Sequence, residues 1–222
     1  PRDEPGTPPS DAIVLFDGKN LDEWVGRKGA ASWTVKDGIM TIAPGQGDMY
    51  TKRKFGDIQL HMEWRTPAGT KRKGESKGNS GINLRAIPDK TRRRAFQAYH
   101  VDIGHVGIGK QVLGAWDFHT PGRREHACFR GDRLVIDEND KPTVTKIKDA
   151  VTLEDINKGD WNELHVIVKG NNFKFYINGK LSSEFTENLK KERRLHSGMI
   201  QLQLHDPGMI VKFKDLQIKV LK

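Results

Sequence analysis

Gly78-Asn79-Ser80-Gly81-Ile82-Asn83-Leu84-Arg85 and, after a short interval, Ala98-Tyr99-His100-Val101-Asp102-Ile103 are the runs on which the reading of this chain turns. In the first, Ile82 and Leu84 alternate with Asn83 and Arg85; in the second, Tyr99, Val101 and Ile103 alternate with His100 and Asp102. That is the period of a half-buried strand. Paired, the two strands predict a sheet with one apolar face and one face offering an amide, a cation, a titratable base and a carboxylate, a set that chemistry can use. The same alternation also describes a face that merely meets water. Both readings stand at this point.

Working outward, Ile58-Gln59-Leu60-His61-Met62-Glu63-Trp64-Arg65 alternates most clearly and sets His61, Glu63 and Arg65 on one face. Met199 to His205 does the same, with Ile200, Leu202 and Leu204 opposite Gln201, Gln203 and His205. Asp37-Gly38 and Asn178-Gly179 are two-residue hairpin signals whose geometry asks for positive φ. The apolar parity within Val211 to Val220 shifts between Phe213 and Leu216, as a bulge makes it do. The stretch from Gly104 to Arg130 is rich in glycine and aromatics with weak periodicity, and reads as loops over one mouth of the sheet. Gly104 to Lys110 is not a phosphate loop, because the spacing is wrong and no helix follows.

Many strand signals, short hairpin turns, no long helix and no repeat predict an all-β jelly-roll sandwich of two antiparallel sheets. A single domain is expected over residues 11–222, after a Pro-rich lead-in over residues 1–10. Trp64, Ile82, Leu84, Tyr99, Leu202 and Leu204 are expected to pack inside. The polar positions His61/Glu63/Arg65, Asn83/Arg85, His100/Asp102 and Gln201/Gln203/His205 are then expected to share one open sheet face.

With 222 residues, five Trp and nine Phe, the chain can bury a sizeable core. Its 38 Lys and Arg against 29 Asp and Glu give a net charge of +9. Much of that excess sits in two loop-like runs, Thr70 to Lys77 and Lys90 to Arg94. Neither run interleaves aromatics with its cations, so no nucleic acid partner is expected. Cys128 is alone, which excludes an intrachain disulfide. No apolar run approaches the length of a membrane span. The start at Pro1 resembles that of a processed protein, and a signal peptide is expected to have been removed.

Further motifs run along nearly the whole chain. They are Phe16-Asp17-Gly18-Lys19-Asn20-Leu21 with Trp24, the Trp33 to Gly38 hairpin, Gly56-Asp57-Ile58 leading to Glu63-Trp64-Arg65, and Gly78-Asn79-Ser80-Gly81 with Arg85. Beyond these come Trp161-Asn162, Val168-Lys169-Gly170-Asn171, Asn178-Gly179 and Ile200 to His205. In this order they resemble the 3-keto-disaccharide hydrolase domain family. The resemblance implies a concanavalin A-like lectin or glucanase jelly roll, export from a bacterial cell, and action on sugars whose C3 hydroxyl has been oxidised to a ketone. The chain departs from the family pattern in one strand: His100 stands where Glu or Gln is usual, and Asp102 where Gln or Asp is usual.

Retaining glycosidases need two carboxylates about 5 Å apart, and the Glu-x-Asp-x-x-Glu run of a glucanase strand is missing here. A 3-keto sugar needs less, because the ketone acidifies the C2 proton and the glycosidic oxygen can leave by elimination, with hydration to follow. One base, one oxyanion stabiliser and one acid suffice. The candidates are Asp102 with His100 as base and partner, Arg85 for the enolate oxygen, and Glu63 or His205 for the proton. Asn79, Trp116, Asp117, Gln203 and His205 are the candidate substrate-binding residues. Each has a structural alternative: an ion pair for Glu63, a turn contact for Asn79, a core position for Trp116, a strand end for His205. No metal or cofactor is expected, and the sequence assigns no oligomeric state. A carbohydrate-binding module, in which the polar face and Trp116 only hold a glycan, is the alternative to an enzyme.

Overall fold

The strand Ile58–Arg65 alternates buried and half-buried residues along its whole length, and it sits in the interior of the larger of the two main sheets; Lys71–Arg72 and Glu75–Ser76 form a separate two-stranded pair. The computed structural model describes residues 10–27, 29–42, 45–66, 71–72, 75–76, 78–90, 96–104, 112–120, 128–205 and 210–222. The lead-in over residues 1–9 and most of the two basic runs lie outside them.

The ten-stranded sheet runs, from one edge, Pro142–Lys146, Asp132–Ile136, Lys180–Glu187, Asn172–Ile177, Asn162–Lys169, Ile58–Arg65, Lys212–Val220, Ile39–Thr41 and Thr34–Lys36, with Ile13–Phe16 also pairing with Lys212–Val220. Its pairs are antiparallel except Asp132–Ile136 with Lys180–Glu187, which is parallel. The seven-stranded sheet runs Trp116–His119, Phe96–Asp102, Gly81–Pro88, Met199–Leu202, Met49–Thr51, Trp24–Gly26 and Gly29–Ala30. The fold is the expected all-β sandwich of glucanase type. No described helix is long and apolar enough to cross a membrane.

The two sheets meet through aromatic rings. Tyr99 of the smaller sheet lies 4.6 Å from Phe173 of the larger, centroid to centroid, and Trp116 lies 5.1 Å edge-on from Phe185. Ile82, Leu84, Tyr99, Val101, Trp116, Phe118 and Leu202 all belong to this core, with Trp64 from the other side. Leu204 is half-buried and packs against it. Edge-to-face pairs of this kind contribute about 0.5–1.5 kcal/mol each beyond the area they bury.

The turn chemistry is as the sequence predicts: Asp37 and Gly38 have φ of 52° and 73°, Asn178 and Gly179 of 50° and 80°. The bulge in the last strand falls between Lys214 and Gln217, where Asp215 takes φ 54°. One element departs from expectation. Trp116–His119, read from sequence as loop, is an edge strand paired with Phe96–Asp102.

Candidate active site

With Ile82, Leu84, Tyr99, Val101, Trp116 and Phe118 turned into the core, the alternate positions of the seven-stranded sheet must point outward. Register makes them a row. Asp117 lies opposite His100, His100 opposite Asn83, Asn83 opposite Gln201, and Gln201 opposite Tyr50. In the next position along, Asp102 lies opposite Gly81, and the Gln203 backbone N–H bonds Gly81 O at 3.0 Å.

This face is buried, not open as the alternation led one to expect: Asn83, His100, Asp102, Asp117 and Gln201 are each at most 5% exposed. Burying unsatisfied polar groups is costly, and hydrogen bonds remove that cost. His100 Nδ1 meets Asn83 Oδ1 at 2.9 Å, Asn83 Nδ2 donates to Gln201 Oε1 at 2.9 Å, and Gln201 Nε2 donates to Asp48 Oδ2 at 2.7 Å. The Leu204 N–H bonds the other oxygen of Asp48 at 2.7 Å. Burial pushes the Asp48 carboxyl above its ordinary range, against the pull of the Leu204, Gln201 and Tyr50 donors and the charge of Arg27. On the opposite side of His100, its ring stacks on that of His119 at 4.7 Å, and His119 Nε2 reaches Asp117 Oδ2 at 3.1 Å. Asp102 Oδ1 accepts the Gly104 N–H at 2.7 Å.

Gly81 is needed here for space. A Cβ on it would stand 2.0 Å from Cε1 and 2.1 Å from Nε2 of His100, so the imidazole edge lies where any side chain would be.

His100, Asp102 and Asp117 thus share one face; the Gln203 backbone lies beside Gly81 at its edge, and Asn79 lies at its border, with Oδ1 3.3 Å from where a Cβ on Gly104 would be. Four other candidates separate from that cluster or sit at its edge. Glu63 lies on the ten-stranded sheet, opposite Glu163 and Lys214, and its Oε2 binds Lys214 Nζ at 3.0 Å. Arg85 is turned the other way by a bulge between Leu84 and Ile87, where it takes φ 51°. Its guanidinium donates to Leu195 O at 2.8 Å, Gly170 O at 3.0 Å and Asp57 Oδ1 at 2.8 Å, and faces the Phe173 ring at 5.1 Å. Trp116 is fully buried and meets Phe173, Phe175 and Phe185 edge-on, a core position with no ring face left open to a sugar. His205 follows the strand Met199–Leu202 and is exposed.

On the far face of the larger sheet, His61, Glu63 and Asp215 hold potential ligand atoms within 4.8 Å of one another and could hold a cation. His61 lies 3.3 Å from Asp215 and 3.5 Å from Glu163, and Lys214 is bound to Glu63. Cys128 is buried, and burial followed by the nearby Asp132 pushes its thiol up, which removes it as a nucleophile. Asp48 and His119 went unnoticed in the sequence. The signal for His119 was the alternation of Trp116-Asp117-Phe118-His119; Asp48 left none.

No curated protein matches the chain. Among solved structures, a candidate glycosyl hydrolase from Parabacteroides distasonis is 27% identical over 99% of this chain and 89% of its own, with a TM-score of 0.63. A second from the same organism is 17% identical, with 95% and 94% covered and a TM-score of 0.60. A β-glucanase from Bacillus licheniformis shares the fold at 9% identity, 97% and 100% coverage and a TM-score of 0.54. The family model for the 3-keto-alpha-glucoside-1,2-lyase-like domain matches residues 11–219, and the chain belongs to that family.

Proposed function

We propose that this carbohydrate-active protein cleaves 3-keto-glycosides by elimination, using His100 as the base. The observation that carries the reading is the buried row Asp117, His100, Asn83 and Gln201 with Asp102 beside it. A sheet face that only met water would have no reason to hold an imidazole and two carboxylates out of solvent. Because Nδ1 of His100 bonds the Asn83 carbonyl oxygen, the lone pair of the neutral ring is on Nε2, the nitrogen suited to take a proton.

In the reaction, the C3 ketone makes the C2–H bond acidic. His100 Nε2 takes the C2 proton, and negative charge develops on the C3 oxygen. Collapse of the enolate forms the C1=C2 double bond and breaks the C1–O bond. Asp102, two residues along on the same face, passes the proton that His100 has taken to the departing oxygen, so that both side chains return to their starting state. Water then adds across the double bond. The family's description as 1,2-lyase-like supports an elimination across C1 and C2, which breaks the C2–H and C1–O bonds. Export to the periplasm or medium, implied by the family resemblance, belongs to the same reading and is checked by cell fractionation. The binding-module alternative loses its stacking platform with Trp116 in the core.

The test is turnover of a 3-keto-glycoside deuterated at C2, beside the parent glycoside. The labelled substrate should react more slowly or lose its deuterium to water, the parent should be left intact, and His100→Gln should cost more than about a hundredfold in rate. Equal turnover of the parent, or full retention of deuterium, would overturn the elimination.

A further inference from the structure

A chain of two side-chain amides has a direction, and one end must set it. Asp48, just ahead of the strand Met49–Thr51, takes the Leu204 N–H on Oδ1 and the Gln201 amide on Oδ2. An ionised carboxylate only accepts, so Gln201 must turn Nε2 toward Asp48 and Oε1 toward Asn83. Asn83 must then give Nδ2 to Gln201 at 2.9 Å and offer Oδ1 to His100. His100 meets that oxygen through Nδ1 at 2.9 Å, and a carbonyl oxygen accepts only from an N–H. The four side chains come from four adjacent strands or their ends, in the sheet order Phe96–Asp102, Gly81–Pro88, Met199–Leu202, Met49–Thr51.

We propose that Asp48 is a positioning residue that sets, through Gln201 and Asn83, which ring nitrogen of His100 carries the proton. It touches no substrate. It holds Nδ1 protonated, and so keeps the Nε2 lone pair directed over Gly81, where the ring edge lies. The inference rests on the assignment of His100 as the base, but its test reads the resting protein and does not depend on turnover.

The substitution Asp48→Asn gives a sharp expectation. The introduced amide still accepts the fixed Leu204 N–H through its oxygen and must present its own N–H groups to Gln201. Gln201 and Asn83 then both flip, every hydrogen bond is remade in the opposite sense, and Asn83 donates to Nδ1. His100 changes to the Nε2–H form. A second change tests the relay from within: in Asp48→Asn combined with Asn83→Asp, the new carboxylate accepts from both neighbours, and His100 Nδ1 must again be the donor.

The readout is the ring carbon and nitrogen NMR shifts of His100, assigned by their loss in His100→Gln and recorded above the pH at which the imidazole titrates. The wild type should show the Nδ1–H tautomer, Asp48→Asn the Nε2–H tautomer, and the double variant the Nδ1–H tautomer again. Turnover of a 3-keto-glycoside by Asp48→Asn should fall by about a hundredfold or more, the order expected of a wrong tautomer. An Nε2–H tautomer in the wild type overturns the proposal. So does an unchanged tautomer in a folded Asp48→Asn variant.

Discussion

Arg85 is the position where the sequence pattern and the structure assign different work, and Arg85→Met separates them. Methionine keeps much of the length of the side chain and loses the guanidinium. In the native protein that group donates to Leu195 O at 2.8 Å and Gly170 O at 3.0 Å, pairs with Asp57 at 2.8 Å and covers the Phe173 ring. Burial pulls the Arg85 pKa down while Asp57 and Tyr99 act to raise it, and an arginine stays charged under such opposition. Hydrogen bonds from a charged donor contribute about 1.5–3 kcal/mol each. The Asp57 side chain is 36% exposed, so water screens that pair and its share is discounted. Counting mainly the two carbonyl contacts, the loss is about 3–5 kcal/mol, and at roughly 2–4 °C per kcal/mol for a chain of this size it lowers Tm by about 10 °C. Thermal unfolding followed by circular dichroism measures it. Turnover per folded molecule, assayed well below the transition, should stay within about threefold of wild type, since the guanidinium faces away from His100. A variant with native Tm and a hundredfold loss of turnover would refute this and return Arg85 to the enolate oxygen.

Two further outcomes follow from placement and charge. Glu63→Gln removes a partly exposed contact with Lys214 on the other sheet, so stability should change by no more than about 1 kcal/mol and 3-keto-glycoside turnover not at all; a hundredfold loss of turnover would put Glu63 back in the chemistry. The Asp155 carboxyl is held down from 3.8 to about 2, chiefly by its bond to Lys180 and then by Thr152. A depressed carboxyl stabilises the fold above its unfolded value and ceases to as pH falls through the folded one, so Asp155→Asn should be less stable than wild type at pH 7, with the gap closing between roughly pH 4 and pH 2. Urea titrations across that window measure the gap, and a constant difference would show that the ion pair is not its source.

The period of two in Ile58–Arg65 and in Phe96–Asp102 reports which residues turn outward, and it does so correctly in both. It carries no information on which of two sheets the outward face belongs to, so Glu63 and His100 look alike in sequence and end on different sheets. Counting by twos from Asn83 also fails at Arg85, because the bulge reverses parity there. Glycine marks such points in many strands, whereas here an arginine takes φ 51° and leaves no mark. The strand Trp116–His119 alternates over four residues only, too few to stand out from a glycine-rich run, and with it went the difference between a stacking Trp116 and a buried one. The hydrogen bonding of the polar row was illegible for a different reason: it joins Asp48, Asn83, His100 and Gln201, which become partners only through strand order.

That dependence gives a physical reason for a histidine at residue 100. Two amides in series transmit one sense of donation, so the ends of the relay must be unlike, one accepting and one donating. Asp48 accepts, and His100 through Nδ1 donates. A glutamate at 100 could only accept. It would draw Asn83 Nδ2 toward itself, oblige Gln201 to turn Nε2 toward Asn83, and leave Gln201 Oε1 facing the Asp48 carboxylate at the 2.7 Å now spanned by a hydrogen bond. Two acceptors at that distance in a buried site cost more than the relay gains. With aspartate at 48, position 100 must therefore hold a side chain that can donate, and histidine does so through Nδ1. The relay that starts at Asp48 ends on the Nδ1 of His100.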